Sequence, residues 1–189
     1  MKSAKYRLLL SFLALTALFT VVWFSFPKTT SAAEAYEIDI NVEATLKRFI
    51  HEVPAGSDLL TIARGVLVFP SVIKAGFWVG GEYGEGALQI GGETVEYYNI
   101  ASASIGLQLG AQTRSMVIIF LDEDALNGFI NSSGWKAGVD GNLTVVKWGG
   151  EKNVDSLNLR DPIIAFVFGN KGLMYNLTLE GSKISRIAR

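Results

Sequence analysis

The sequence predicts an α+β domain, an antiparallel, barrel-like β-sheet that carries two or three short helices. Three observations predict it. Apolar residues at helical spacing occupy only a few short stretches. Alternating or continuous apolar runs, each bounded by glycine, proline or asparagine, recur from residue 66 to the end of the chain. The 189 residues are 49% hydrophobic and 19% charged, a globular composition with enough apolar material for one core.

The first 33 residues stand apart. Lys2, Lys5 and Arg7 make a positive start, and Leu8 to Phe26 is a charge-free apolar run of 19 residues. Pro27 breaks it, and Thr30 to Ala33 offers small residues for cleavage. This is the pattern of a secretory signal. A run of that length can also cross a bilayer, so an uncleaved anchor is the alternative. Either reading puts the domain outside the cytoplasm, in the periplasm or beyond it. No twin-arginine pair is present, which favours general secretion. The absence of cysteine excludes disulfides and thiolate chemistry. Without Lys2, Lys5, Arg7 and Lys28, 13 basic residues face 18 acidic ones, a net charge of −5. Nucleic acid is not an expected partner, because phosphate backbones need a basic footprint.

Taken in order, residues 34–41 are polar and read as a flexible lead-in, with the domain proper over 42–189. Val42, Leu46, Phe49, Ile50 and Val53 form one helical stripe, with Asn41 as N-cap and Pro54 as the stop. Ser57 is placed to cap a second helix over Asp58 to Arg64. Val66 to Phe69 predicts a strand ending at Pro70. The stretch from Lys74 to Gly92 then holds Gly76, Gly80, Gly81, Gly84, Gly86, Gly91 and Gly92 among aromatics. Glycines within a strand mark a bulge, a bend or the close approach of another backbone. The stretch predicts sharply bent strands around a turn near Gly84 to Gly86. A phosphate loop is disfavoured, since Gln89 stands where the third glycine belongs and no helix pattern follows. Thr94 to Ile100 and Ser102 to Gly110 predict two further strands. Ser115 to Leu121 is apolar throughout and predicts a strand buried on both faces. Asp122 opens a third helix with Ala125, Leu126, Phe129 and Ile130 inward. Leu143 to Trp148, Ile163 to Phe168, Leu173 to Leu179 and Lys183 to Ile187 predict the remaining strands, separated by turns and a polar loop over 151–160.

Little of the reactive chemistry is patterned. His51 is the one histidine and reads as a solvated helix residue, with no spacing for a transition-metal site. Asp122, Glu123 and Asp124 suit a helix start better than a calcium loop. Glu82 and Glu85 could form a paired-carboxylate site, but the solvent side is their expected place. Three Asn-x-Ser/Thr triplets, at Asn131, Asn142 and Asn176, matter only in a glycosylating host. Trp78, Tyr97, Tyr98, Trp135 and Trp148 lie near turns or glycines. They suit either packing beside small residues or a membrane interface, where one end of the ring is apolar and the other wet.

The motifs Ala63-Arg-Gly-Val-Leu-Val-Phe-Pro70, Gly80-Gly-Glu-Tyr-Gly-Glu-Gly-Ala-Leu88 and Ser104-Ile-Gly-Leu-Gln-Leu-Gly-Ala-Gln112 occur in that order, followed by Ser133-Gly-Trp135 and Asn170-Lys-Gly-Leu-Met-Tyr175. Together they resemble the SYLF, or lipid-binding, domain family over residues 43–187, and most closely its exported bacterial branch. The resemblance implies a SYLF-type fold with no enzymatic activity and no cofactor. It also implies a lipid or membrane surface as partner, with an N-terminal amphipathic helix taking part. The expected contact residues are Lys74, Phe77, Trp78 and Tyr83 of the glycine-rich stretch, with Phe49 and Ile50 of the first helix. The alternative is an envelope structural or protein-interaction module with no specific lipid ligand.

Overall fold

The computed structural model describes residues 31–76, 79–105, 110–147, 161–172 and 181–189. Residues 1–30, with most of the expected export segment, lie outside the described residues. So do Phe77, Trp78, Leu107, Leu109, Trp148, the loop over 151–160 and the alternating stretch 173–179.

Helix α1 spans Ser31–Glu52 and α2 spans Gly56–Ile62. Strands β1 (Gly65–Gly76), β2 (Val79–Ile90), β3 (Glu93–Ile105) and β4 (Gly110–Phe120) follow. Then come α3 (Glu123–Ile130), β5 (Trp135–Lys136), β6 (Leu143–Lys147), β7 (Ile163–Gly172) and β8 (Lys183–Ile187). The eight strands make one curled sheet, a half-barrel, in the order β5-β8-β3-β2-β1-β4-β7-β6. The fold class is therefore α+β, as expected. The sheet is mixed rather than purely antiparallel, because β6 runs parallel to β7.

Each face of the sheet buries a separate core. Leu67, Phe69, Leu88, Met116, Ile118 and Phe120 meet Leu126 and Phe129 of α3 on one face. Val66, Val68, Val117, Ile119, Ile164 and Phe166 meet Val42, Phe49 and Val53 of α1 on the other. Ser115 to Phe120 is buried throughout, as its apolar run predicts. Helix α3 begins as read from the sequence: the Asp122 carboxylate accepts from the Ala125 amide at 2.9 Å.

The first helix is longer than its stripe predicts. Residues 34–41 are helical, and Asn41 lies inside α1 rather than capping it. Ile38 extends the buried stripe, and Asp39 accepts the hydroxyls of Thr94 and Tyr97 at 2.9 Å each. Those bonds tie the polar first turns to β3, a long-range gain that a local pattern does not register. Ile50 leaves the stripe and is 47% exposed. In α2 the N-cap is Ala55, and Ser57 sits inside the first turn, its carbonyl accepting from the Thr61 hydroxyl.

Pro70 does not end β1. It sits in a bulge between Val68 and Ser71, where pairing with β2 and β4 shifts register. A proline lacks the N–H that the ladder needs, and a bulge absorbs that loss. The extra residue also changes which side chains face which way. Val66 and Val68 point to the α1 face, whereas after the bulge Val72 points to the α3 face. The glycine-rich stretch is correspondingly not a turn at Gly84 to Gly86. Residues 79–90 form one strand, and the hairpin turn is Gly91-Gly92, with φ of 63° and 86°. Thr94 to Ile100 and Ala101 to Ile105 likewise form a single strand, β3.

Candidate functional site

Beyond the bulge the two faces of the sheet part in character. The cross-strand pairs Ile73↔Tyr83, Ala75↔Gly81 and Ala75↔Ala111 lie on the α1 face, as do Tyr83↔Ala101 and Gly81↔Ala103. Ile73 is 53% and Tyr83 49% exposed, and Ala75, Gly81, Ala103 and Ala111 are exposed too. The result, among the described residues, is an uncovered sheet surface of small and apolar side chains around one aliphatic and one aromatic residue. Small side chains keep it flat. Its margin is polar: the Tyr83 hydroxyl donates to Glu85 at 2.5 Å. Arg189 pairs with Glu85 and, at 3.3 Å, with Glu34 at the start of α1. Partial burial and the Glu85 carboxylate push the Tyr83 phenol up from its ordinary value. Partial burial would raise the Glu85 carboxyl, but the hydrogen bonds from Arg189 and Tyr83 outweigh it and hold that carboxyl below the usual range.

The opposite face carries a buried polar row. Register pairs Glu82 with Ser102 and with Lys74, and Lys74 with Gln112, so these four neighbours cross β3, β2, β1 and β4 on the α3 face. Glu82, Lys74 and Gln112 are buried. Arg114, two residues along β4, is 1% exposed and donates from Nη2 to Glu82 Oε1 at 2.6 Å. Glu82 is thus not on the solvent side. The parity of its strand turns it toward Leu88 and the α3 core, and Arg114 compensates its charge there.

The structure accordingly separates the residues expected to act together. Lys74 faces the α3 side and Tyr83 the α1 side. Phe49 is fully buried between Phe166 and Phe168, with ring centroids at 5.0 and 5.9 Å, and so holds α1 to the sheet. Ile50 points away from the sheet, near the exposed Glu43–Lys47 pair. Phe77 and Trp78 lie outside the described residues. Arg114, Gln112 and Ile73 were not among the expected residues. Gln112 and Arg114 share parity with Met116, Ile118 and Phe120, and that continuation was the available signal. For Ile73 no signal existed short of the bulge, which turns it outward.

Among the described residues no group of three His, Cys, Asp or Glu side chains could hold a metal ion. His51 lies on the exposed side of α1. No described helix is long and apolar enough to cross a membrane.

Residues 101–188 match the model of the family described as Ysc84, Las17-binding protein actin regulator. That segment is similar to the SYLF domain family. It takes in the end of β3, all of β4 with Gln112 and Arg114, helix α3 and the remaining strands. No curated protein matches the chain. The matched segment thus supplies half of the polar row, and β1 and β2, N-terminal to the match, supply Lys74, Glu82 and most of the apolar surface.

Proposed function

We propose that this protein is a non-catalytic lipid- or membrane-associating domain of the bacterial cell envelope. The observation that carries the reading is the apolar surface of Ile73, Ala75, Gly81, Tyr83, Ala103 and Ala111, exposed among the described residues. Soluble domains rarely leave a contiguous apolar surface without a use for it. Tyr83 suits an interface, with an apolar ring and a hydroxyl anchored at the polar margin. Burying the exposed parts of Ile73 and Tyr83 contributes roughly 1 kcal/mol each toward adsorption. Ile50, Ile40 and Tyr36 on the outer side of α1 add exposed apolar area elsewhere. The charged start and apolar run of residues 1–33 support export, and the similarity of residues 101–188 to the SYLF family supports a binding role over a catalytic one.

Residues 31–189 form one compact unit that contains both cores, so they are the piece to test. Sedimentation with zwitterionic and with anionic vesicles, at low and high salt, decides the matter. Binding to both vesicles that persists in high salt is expected, because the surface is apolar. Binding only to anionic vesicles at low salt would move the contact to the basic residues Lys47 and Arg48. No binding at all would favour a second reading, an envelope protein-interaction module, which the family description as a Las17-binding protein supports.

A further inference from the structure

Beyond its bulge, β1 buries a lysine and exposes an isoleucine. Lys74 is 9% exposed on the α3 face and Ile73 53% exposed on the α1 face. The bulge is the cause. Strands β1 and β2 pair as Val68↔Ala87 before it and as Ser71↔Glu85 after it. Without the extra residue Ser71 would stand opposite Gly84, and every later side chain of β1 would change face. Ile73 would then be buried and Lys74 exposed, the arrangement that hydrophobicity favours. Side-chain packing does little to oppose that slip. Gly84, Gly81 and Gly80 stand opposite Val72, Ala75 and Gly76, and glycine-rich strands specify register weakly.

The polar row does oppose it. Glu82 on β2 and Arg114 on β4 reach across β1 and meet at 2.6 Å, both almost wholly buried. Register places Lys74 between Glu82 on one side and Gln112 on the other. The slip would set Ile73 between them instead, and would take the Lys74 cation away from a carboxylate that stays buried. Such a carboxylate is strongly disfavoured. The row is not the most stable filling for this space. Arg114 Nε and Nη1 and Gln112 Oε1 have no hydrogen-bond partner, and apolar residues often replace a buried ion pair without loss. What an apolar row lacks is a charge that fits one register only. We infer that Glu82, oriented by Arg114, is a register lock: it draws Lys74 inward, fixes β1 in its bulged register, and so holds Ile73 on the exposed face. The lock acts whatever Ile73 meets there.

The chain contains no cysteine, so a single introduced thiol reports the exposure of its position. Maleimide labelling of the full chain in a nonionic detergent, with Val72→Cys or Ile73→Cys introduced one at a time, reads the register. Val139→Cys, at a 73% exposed position, is the reference. With the lock intact, the thiol at position 73 is expected to react close to the reference rate. The thiol at position 72 is expected to react about a hundredfold slower, since a buried thiol reacts only through local opening. Glu82→Leu with Arg114→Met removes both charges of the lock, and the order of the two rates is expected to reverse. Adding Lys74→Met removes the cation that leaves the core in the slipped register, and the original order is expected to return. The thermal midpoint shows whether each variant is folded. Should the double variant not fold, Glu82→Gln alone decides: the thiol at position 72 is expected to react about tenfold faster as the slipped register gains population. A folded double variant that keeps the original order means that Pro70 alone sets the bulge, and overturns the inference. A triple variant that stays reversed, or an unchanged rate at position 72 in Glu82→Gln, overturns it as well.

Discussion

Gly86 sits where β2 passes the bulge of β1, and a Cβ built there would stand 1.9 Å from the Val68 carbonyl oxygen. The obstacle is backbone, which cannot swing aside. Gly86→Ala is expected to cost about 3 kcal/mol or more, in the range of core strain. Gly128, on the exposed side of α3, has nothing within 4 Å of such a Cβ. Gly128→Ala is expected to stabilise by about 0.5–1 kcal/mol through helix propensity. Urea unfolding of the two variants checks both signs at once. The Glu85 network makes a second prediction at this scale. Glu85 has a folded-state pKa below its ordinary value of 4.5, so its contribution to stability is present above that pH. It is lost as pH falls from 4.5 through the lower folded value. Arg189→Gln is expected to flatten that acid dependence of the melting temperature. Tyr83 acts at the other end. Its phenol is raised above 10.0, so its contribution is present below pH 10 and fades as pH climbs through the folded value.

At the scale of elements, α1 shows what local pattern reveals and what it misses. Phe49 falls on a stripe of apolar residues and is buried against Phe166 and Phe168. Phe49→Ala is expected to cost about 3–5 kcal/mol, while Ile50→Ala, on the exposed side one residue later, is expected to cost little. Thermal unfolding of the pair measures how one residue of helical rotation divides core from surface. The helix end at Pro54, the Asp122 cap and β8 were legible because capping, proline and alternation are local. The first turns of α1 were not, because Asp39 is held by Thr94 and Tyr97 from a distant strand. Pro70 misled for a related reason. Proline excludes a regular ladder, and the ladder here admits a bulge instead, which depends on both neighbouring strands.

At the scale of the whole molecule, one sheet separates two chemistries. Helices α1 and α3 cover the apolar halves of its faces, and the bulge begins the halves they leave. There the α1 face turns apolar and exposed, and the α3 face polar and buried. Sequence could place Lys74 and Tyr83 in the same glycine-rich strands, and only the register showed them back to back. The same register joins Glu82 to Arg114 across 32 residues of chain. The central claim is that the exposed face around Ile73 meets lipid. The most direct measurement is vesicle sedimentation of residues 31–189 carrying Ile73→Glu, against the wild type and against Val139→Glu, a substitution at a 73% exposed residue outside the sheet. The account predicts that Ile73→Glu loses binding to zwitterionic vesicles while Val139→Glu and the wild type keep it. Equal binding by all three folded proteins would contradict it.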